Sequence, residues 1–200
     1  MQPDNQYPID YLNQIAPQQK KPGLSTKMMI LIGGGVGLLL IIAGFMIFSS
    51  GSAGPTQKMQ TLAARMATLR DIASKSQTNI KSGTLRNTNS NLAIFLTNAN
   101  REIEEPLSKN NIDIKRIDQN IETAENGDEL RATLEDARLN AVFDRTYARE
   151  MAYQLETVQA LMSDIYSKTG SKSLKDFLNA TNGNLQPIID QLAEFNAANG

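Results

Sequence analysis

The sequence predicts an all-α protein in which a single transmembrane helix is followed by an antiparallel four-helix bundle. Three observations support this fold class. Residues 28–48 form one uninterrupted apolar run. Beyond residue 55, hydrophobic residues recur at steps of three and four, and the alternation typical of strands is almost missing. Four amphipathic helices bury their apolar stripes best against one another, which favours a bundle.

Residues 1–27 are predicted to form a flexible tail, because they combine four prolines with a cluster of Gln and Asn. Within this tail, Ile9, Leu12 and Ile15 lie three apart and would share one face of a short helical segment. That face is a candidate binding site for a protein partner. The alternative interpretation is that the segment has no fixed structure.

The run from Met28 to Phe48 contains 21 residues and no charged side chain. At about 1.5 Å per residue it matches a hydrocarbon core roughly 30 Å thick, so we expect it to contact membrane lipid. Gly33 and Gly37 form a G-x-x-x-G pair, a spacing that lets two membrane helices approach closely. Glycine is also common in membrane helices without that role, so homo-oligomerisation stays open.

The basic residues around the apolar run indicate its orientation. Three basic residues precede the run: Lys20, Lys21 and Lys27. In the fifteen residues after Phe48, only Lys58 is basic. Because Lys and Arg are retained on the cytoplasmic side, the N-terminus is predicted to be cytoplasmic and the C-terminal domain extracytoplasmic. A cleaved signal peptide is the alternative, since Gly51-Ser52-Ala53 offers small residues to a peptidase. The run exceeds the apolar stretch of about 7–15 residues in signal peptides, which favours an uncleaved anchor.

Residues 49–55 read as a Gly/Ser/Pro linker, and residues 56–200 as the bundle. The first helix is predicted over 56–81, with Thr56 as a candidate cap and the stripe Met59, Leu62, Met66, Leu69, Ala73, Ser76 and Ile80. The second is predicted over 85–109, with the stripe Leu92, Leu96, Ala99, Ile103 and Leu107. It is rich in Asn, a mediocre helix former, so we expect it to depend on packing. Pro106 should kink or shorten its end.

A short helical piece marked by Ile114, Ile117 and Ile121 should precede the Asn126-Gly127 turn. A long helical stretch is then predicted from Asp128 to about Thr169, ended by Gly170 as a C′ glycine. Its stripe is Leu130, Leu134, Ala137, Ala141, Asp144, Ala148, Met151, Leu155, Val158, Met162 and Ile165. Ser173 is the candidate cap of the last helix, which contains Pro187 and the stripe Leu174, Leu178, Thr181, Leu185, Ile188, Leu192 and Phe195.

One stretch of the third and fourth main helices carries a family resemblance. It reads Phe143-Asp144-Arg145-Thr146-Tyr147 and continues to Leu174-Lys175-Asp176-Phe177-Leu178. It resembles a bacterial periplasmic ferritin-like domain family of unknown function, which has a Phe-Asp-Arg-x-Tyr signature. The resemblance covers residues 140–195 well and 60–112 loosely, and it implies a ferritin-like four-helix bundle outside the cytoplasm. Members of that family often carry inward-facing His, which this sequence lacks, so the resemblance assigns no metal ligand or catalytic residue.

The composition excludes several kinds of site. The chain has no Cys, so disulfides and thiolate metal sites are impossible, and it has no His, the commonest metal ligand and neutral-pH proton carrier. After Pro55 there are 17 basic and 19 acidic residues, a net charge of −2. This balance gives no basic face for nucleic acid. We therefore expect no enzymatic activity, no cofactor and no nucleic-acid partner.

A di-iron site of the ferritin-like kind needs a Glu on each of two helices and Glu-x-x-His on the other two. The nearest candidates are all carboxylates without a His: Glu102, Glu105, Glu150, Glu156 and Glu194. Because the Glu-x-x-His motifs are missing, we interpret these side chains as solvated and predict no metal site. The acidic residues off the hydrophobic stripes are expected to be exposed to water.

Asp144 is the one charged residue on a predicted core stripe. One interpretation is a buried carboxylate with a raised pKa in a ligand pocket. The other, which we favour, is a cap or hydrogen-bond anchor where the long helix breaks near Asn140.

The tyrosines 147, 153 and 166 would either line a groove or lie at the rim of the bundle.

Three functions remain open at this point. The first, which the sequence favours, is a non-catalytic, membrane-anchored helical module that binds a partner or supports the cell envelope. The second is a sensor or signalling bundle, disfavoured because only 27 residues face the cytoplasm and bundle sensors usually have a folded output domain there. The third is a carboxylate-only metal-binding protein, disfavoured by the missing His. Either the bundle or the tail would supply the surface for a protein partner.

Overall fold

The computed structural model describes residues 53–199. These residues form seven α-helices joined by loops, and no strand occurs among them. They are α1 (Pro55–Ser76), α2 (Gly83–Glu102), α3 (Glu104–Ser108), α4 (Gln119–Ala124), α5 (Asp128–Leu139), α6 (Phe143–Lys168) and α7 (Lys172–Asn199). The predicted all-α class is confirmed for this range. The predicted tail (1–27) and membrane helix (28–48) lie outside it. None of the helices within 53–199 has the length and apolarity needed to cross a membrane.

The four long helices, α1, α2, α6 and α7, form an antiparallel bundle. Each packs against two of the others, so that contacts run from α1 to α2, from α2 to α7, from α7 to α6 and back to α1. Lys58 at the start of α1 binds Asp164 near the end of α6 at 2.8 Å. Thr88 near the start of α2 binds Gln191 near the end of α7 at 3.2 Å. Each contact joins the start of one helix to the end of another, so α1 runs antiparallel to α6 and α2 runs antiparallel to α7.

The hydrophobic stripe predicted for the first helix is buried along its whole length, as is that of the second. However, α1 begins at Pro55 with no side-chain cap, so Thr56 does not cap it. Proline suits this first position because its missing N–H would have no helical partner there. The helix ends at Ser76 rather than residue 81, and Ile80 is buried from the following loop.

The predicted shortening of the second helix by Pro106 is confirmed. Helix α2 ends at Glu102, and the single-turn helix α3 begins at Glu104 and contains Pro106. The proline ring has no N–H to donate to the carbonyl of Glu102, so the hydrogen-bond ladder is interrupted there. At the other end, Ser82 Oγ accepts the N–H of Leu85 at 3.4 Å and caps α2.

A long crossover joins the α1–α2 hairpin to the α6–α7 hairpin, and a buried ion pair holds it to α1. Arg65 donates two hydrogen bonds, of 2.7 and 2.8 Å, to the carboxylate of Glu125. Thr68 Oγ1 donates to the carbonyl of Glu125 at 2.6 Å. Gly127 follows with φ 75, and a Cβ there would lie 2.6 Å from Thr68 Cγ2. Glycine is required at this position by both conformation and space.

Residues 128–169 do not form one continuous helix: they form two helices that pack against each other. The break near Asn140, which belongs to the anchor interpretation of Asp144, is confirmed. Helix α5 ends at Leu139 and α6 begins at Phe143. Ala141 adopts φ 58, and the N–H of Val142 donates to the carbonyl of Ala137 at 2.9 Å. This pattern, completed by a 3.3 Å bond from Ala141 N–H to Arg138 O, is a Schellman motif. Ala141, predicted as a core residue, is exposed.

The connection between α6 and α7 also differs from the prediction. Helix α6 ends at Lys168, and Thr169 is extended with ψ 139. Gly170 is not in the left-handed region, so it does not act as a C′ glycine. Ser171, rather than Ser173, provides the cap, since its Oγ accepts the N–H of Leu174 at 3.4 Å. Pro187 lies inside α7, as the sequence indicates.

Candidate functional site

The Phe-Asp-Arg-x-Tyr residues lie where α6 begins, beside the turn that leads out of α5. Asp144 is half-buried, and its carboxylate accepts the backbone N–H groups of Lys81 at 3.0 Å and Ser82 at 2.7 Å. It therefore fixes the α1–α2 loop against the start of α6. The anchor interpretation of Asp144 is confirmed by these hydrogen bonds, and the alternative of a buried carboxylate is wrong, because the side chain is only half-buried. A carboxylate in the first turn of a helix is also favoured by the helix dipole.

Phe143 and Tyr147 of the same motif are structural. Their rings stack with centroids 5.8 Å apart and an interplanar angle of 13°. Tyr147 is buried and its hydroxyl donates to Asn89 Oδ1 on α2. Burial raises the pKa of Tyr147, so the phenol stays protonated and remains a donor. Tyr166 is by contrast exposed, and Lys175 lies over its ring, so the predicted tyrosines do not share one groove.

Asn89 is the buried polar centre of the α1–α2–α6 contact. Its Nδ2 donates to the carbonyl of Ala73 at 3.0 Å and to Gln77 Oε1, while its Oδ1 accepts from Tyr147. Gln77 in turn donates to Ser90 at 2.9 Å. The amide thereby satisfies its hydrogen-bonding groups without water, as a buried polar group must. Because α2 contains several asparagines, the sequence alone does not indicate that Asn89 is the buried one.

A cleft of about 380 Å³ opens at this end of the bundle. It is bounded by the α1–α2 loop, the α5–α6 turn and the end of α7, and its lining includes Lys81, Val142, Phe143, Arg145 and Phe195. Within the described part of the chain, neither Lys81 nor Arg145 forms an ion pair, and both side chains are exposed. The cleft thus combines aromatic surface with two cations that have no ion-pair partner, and the Asp144 carboxylate also lines it.

The turn beside the cleft exposes apolar side chains. Leu139 is 67% exposed and Val142 is 39% exposed, although both are large and hydrophobic. They lie on either side of Ala141, whose positive φ directs the chain through the turn. Sequence reasoning missed both residues because they fall between the positions of the predicted stripe. Their only sequence signal is that they are apolar residues off the periodic pattern.

The predicted carboxylates do not converge. Glu102, Glu156 and Glu194 are exposed, on three different helices. Glu105 pairs with Lys109 at 2.6 Å, and this hydrogen bond lowers the pKa of Glu105. Across residues 53–199, no three Asp or Glu side chains are placed to hold a metal ion together.

The expectation that acidic residues off the stripes are solvated is wrong for two of them. Glu125 is buried against Arg65, and Glu150 is buried while it binds Arg149 at 2.8 Å. In both cases an arginine offsets the cost of removing a carboxylate from water. The Arg65–Glu125 pair depends on the approach of the crossover to α1, so no local spacing predicts it.

Comparisons with known proteins found no matching family model, no similar curated protein and no similar solved structure.

Proposed function

We propose that this chain is a membrane-anchored protein whose ferritin-like helical domain lies outside the cytoplasm and binds a partner protein without catalysing a reaction. The uncharged run 28–48 and the lysines before it support the anchor and its orientation. Two antiparallel hairpins joined by one long crossover, as in residues 53–199, are the connectivity of ferritin-like folds, which supports the ferritin-like part of the proposal.

The observation that carries the binding function is the surface formed by Leu139, Val142, Lys81 and Arg145, which we call the elbow surface. Exposed apolar side chains next to a cleft are typical of protein-binding sites rather than of an inert surface. Its two cations are free to pair with carboxylates, so the elbow surface suits an acidic segment that also carries apolar residues. The left-handed Ala141, which costs about 1–2 kcal/mol relative to an ordinary conformation, holds this turn in place.

A pair of labelled peptides tests the binding chemistry. One carries alternating Leu and Glu, and the other has Lys at every Glu position; their binding to the full chain is followed by fluorescence anisotropy. The acidic peptide should bind more tightly, and its affinity should fall with added salt. The double substitution Leu139→Ser and Val142→Ser should weaken it about tenfold or more, since it removes the apolar contacts. Equal binding of both peptides, or an unchanged affinity in the double variant, would exclude this site.

Matched controls separate the elbow surface from general surface charge. Arg145→Glu should weaken the acidic peptide, whereas Arg116→Glu, at an exposed arginine of the crossover, should leave it unchanged. Equal losses in the two variants would show that the peptide follows net charge rather than this surface.

The anchor and its orientation are tested by fusing an enzyme that is active only outside the cytoplasm after Gly200. The fusion should be active and should sediment with membranes. A stable but inactive fusion would reverse the proposed orientation, and a soluble active one would show that residues 28–48 are removed.

The proposed lack of metal chemistry rests on the missing His and Cys and on the arginine partners of both buried glutamates. It is tested by purifying the protein from metal-supplemented cultures and measuring bound Fe, Mn and Zn. About one equivalent or more, lost on Glu102→Gln or Glu105→Gln, would favour the carboxylate-only metal site instead.

A further inference from the structure

The chain contains three Asn-Gly pairs: Asn126-Gly127, Asn182-Gly183 and Asn199-Gly200. Asparagine is among the residues that decay chemically in proteins. When glycine follows it, no side chain shields the next backbone nitrogen, so that nitrogen can attack the asparagine amide carbon. Gly200 lies outside the described residues. Of the two pairs that the structure describes in full, one lies in the turn between α4 and α5 and the other lies inside α7.

The side chain of Asn126 is exposed to water and folded back over its turn. Its Oδ1 accepts the backbone N–H of Asp128 at 3.0 Å, and its Nδ2 donates to the Asp128 carboxylate at 2.6 Å. A bond from a side chain to the N–H two residues later closes a ring that includes the Gly127 nitrogen, so the amide carbon is held beside that nitrogen. The Asp128 N–H also stabilises negative charge that develops on Oδ1 during attack. Gly127 precedes α5, so no helical hydrogen bond holds its own N–H.

We propose that Asn126 is a site of spontaneous deamidation, which changes the covalent structure of this turn as the protein ages. The Gly127 nitrogen forms a bond to Cγ of Asn126, and the bond from Cγ to Nδ2 breaks. The proton of the Gly127 N–H leaves on the ammonia that is released, and the product is a cyclic imide. Water from the solvent then adds to one of the two imide carbonyl carbons and opens the ring, which gives aspartate or isoaspartate.

The second pair, Asn182-Gly183, has the same two residues and is also exposed, but its backbone is helical. Inside a helix, the glycine N–H donates to the carbonyl four residues earlier. Imide formation would break this bond and move the backbone out of its helical conformation. The reaction is therefore fast at Asn126 and slow at Asn182, although the two dipeptides are identical.

Isoaspartate would release the crossover from α1, because the modified residue lies between two fixed groups. On one side, Glu125 binds Arg65 through its carboxylate and Thr68 through its carbonyl. On the other side, Gly127 lies so close to Thr68 that an added Cβ would be 2.6 Å from its Cγ2. Isoaspartate inserts an extra methylene into the backbone between these groups. The lengthened backbone does not fit between the two contacts, so the crossover opens at this end.

Mass spectrometry of the purified full chain tests the modification. Tryptic cleavage of the denatured chain at Arg116 and Arg131 yields residues 117–131, which contain Asn126, and cleavage at Lys175 yields residues 176–200, which contain Asn182. Fragment ions locate the mass change from amide to acid. In the native chain, Asn126 should convert about tenfold faster than Asn182 or more, because the helix must open locally before Asn182 reacts. In urea, the two rates should become similar.

Two results would overturn the proposed site. In the first, Asn126 stays intact in the native chain while both asparagines react in urea. In the second, Asn126 and Asn182 react at equal rates in the native chain, so that the turn gives no advantage over the helix.

Limited trypsin digestion of the aged, native chain tests the release of the crossover. The site followed is Arg131, whose ion pair with Asp71 at 2.7 Å holds the start of α5 to α1. An isoaspartate-specific methyltransferase, applied to part of each sample, measures how much isoaspartate has formed. Chains with isoaspartate should be cut at Arg131 about tenfold faster than fresh chains, because cleavage follows local opening.

Two matched variants separate the lengthened backbone from other effects of ageing. Asn126→Gln, whose longer side chain closes the ring far more slowly, should keep its initial cleavage rate after the same incubation. Asn126→Asp adds the charge of the product without lengthening the backbone, and it should also be cut at the rate of the fresh chain. If isoaspartate chains are cut no faster than these two variants, the crossover is not released by the modification.

Discussion

Replacing Tyr147 by Phe tests the buried contact between α6 and α2. The Tyr147 hydroxyl is the donor to Asn89 Oδ1, and both side chains are buried. Its removal leaves a buried amide oxygen without a partner, which costs about 1–3 kcal/mol. For a domain of this size, a loss of about 2 kcal/mol lowers Tm by roughly 4–8 °C.

The measurement is urea unfolding of residues 53–200, followed by circular dichroism. The midpoint should fall while the slope m stays constant, because the surface exposed on unfolding hardly changes. Tyr166→Phe is the matched control: this ring is exposed, so the free energy of unfolding should change by less than about 0.5 kcal/mol. Equal effects of the two variants would show that the Tyr147–Asn89 bond does not hold the helices together.

Three further predictions concern stability. Leu155→Ala should lower the free energy of unfolding by about 2–5 kcal/mol, because Leu155 is fully buried on α6; a change near zero in chemical denaturation would contradict that burial. Ala141→Gly should raise stability by up to about 1 kcal/mol, since glycine adopts φ 58 without strain; thermal melting measures this, and a lower Tm would oppose it. The hydrogen bonds from Lys168 and Lys58 lower the pKa of Asp164, so its contribution is present above the unfolded carboxyl pKa near 3.8 and lost as pH falls below it. Asp164→Asn should therefore unfold with a weaker dependence on pH in acid than the wild type, and identical pH profiles would count against the pairing.

The break between α5 and α6 shows where periodicity stops being informative. Steps of three and four continue unbroken from Leu134 through Ala141 to Ala148, so a single helix satisfies the pattern. The chain instead turns at Ala141, where no glycine or proline marks the change. Packing of α5 against α6 favours the turn, and that preference involves surfaces far apart along a straight helix. The spacing of hydrophobic residues along the sequence does not predict this turn.

The buried polar groups mark the same limit. Asn89 is one of several asparagines on α2, and only the approach of Ala73, Gln77 and Tyr147 makes it a core residue. Glu125 follows a short helix in the crossover, and its burial depends on the ion pair with Arg65 on α1. In both cases the sequence presents an ordinary polar residue, and its partner is more than ten residues away.

By itself the sequence determined the all-α class, the buried stripes of α1 and α2, and the shortening at Pro106, because each follows from local backbone chemistry or from one helical period. It also excluded disulfides, thiolate sites and histidine ligands by composition. Only the tertiary structure decided the role of Asp144 and the exposure of Leu139 and Val142. These features depend on which helix faces meet, and that is set by the sum of many long-range contacts rather than by any single residue's neighbours.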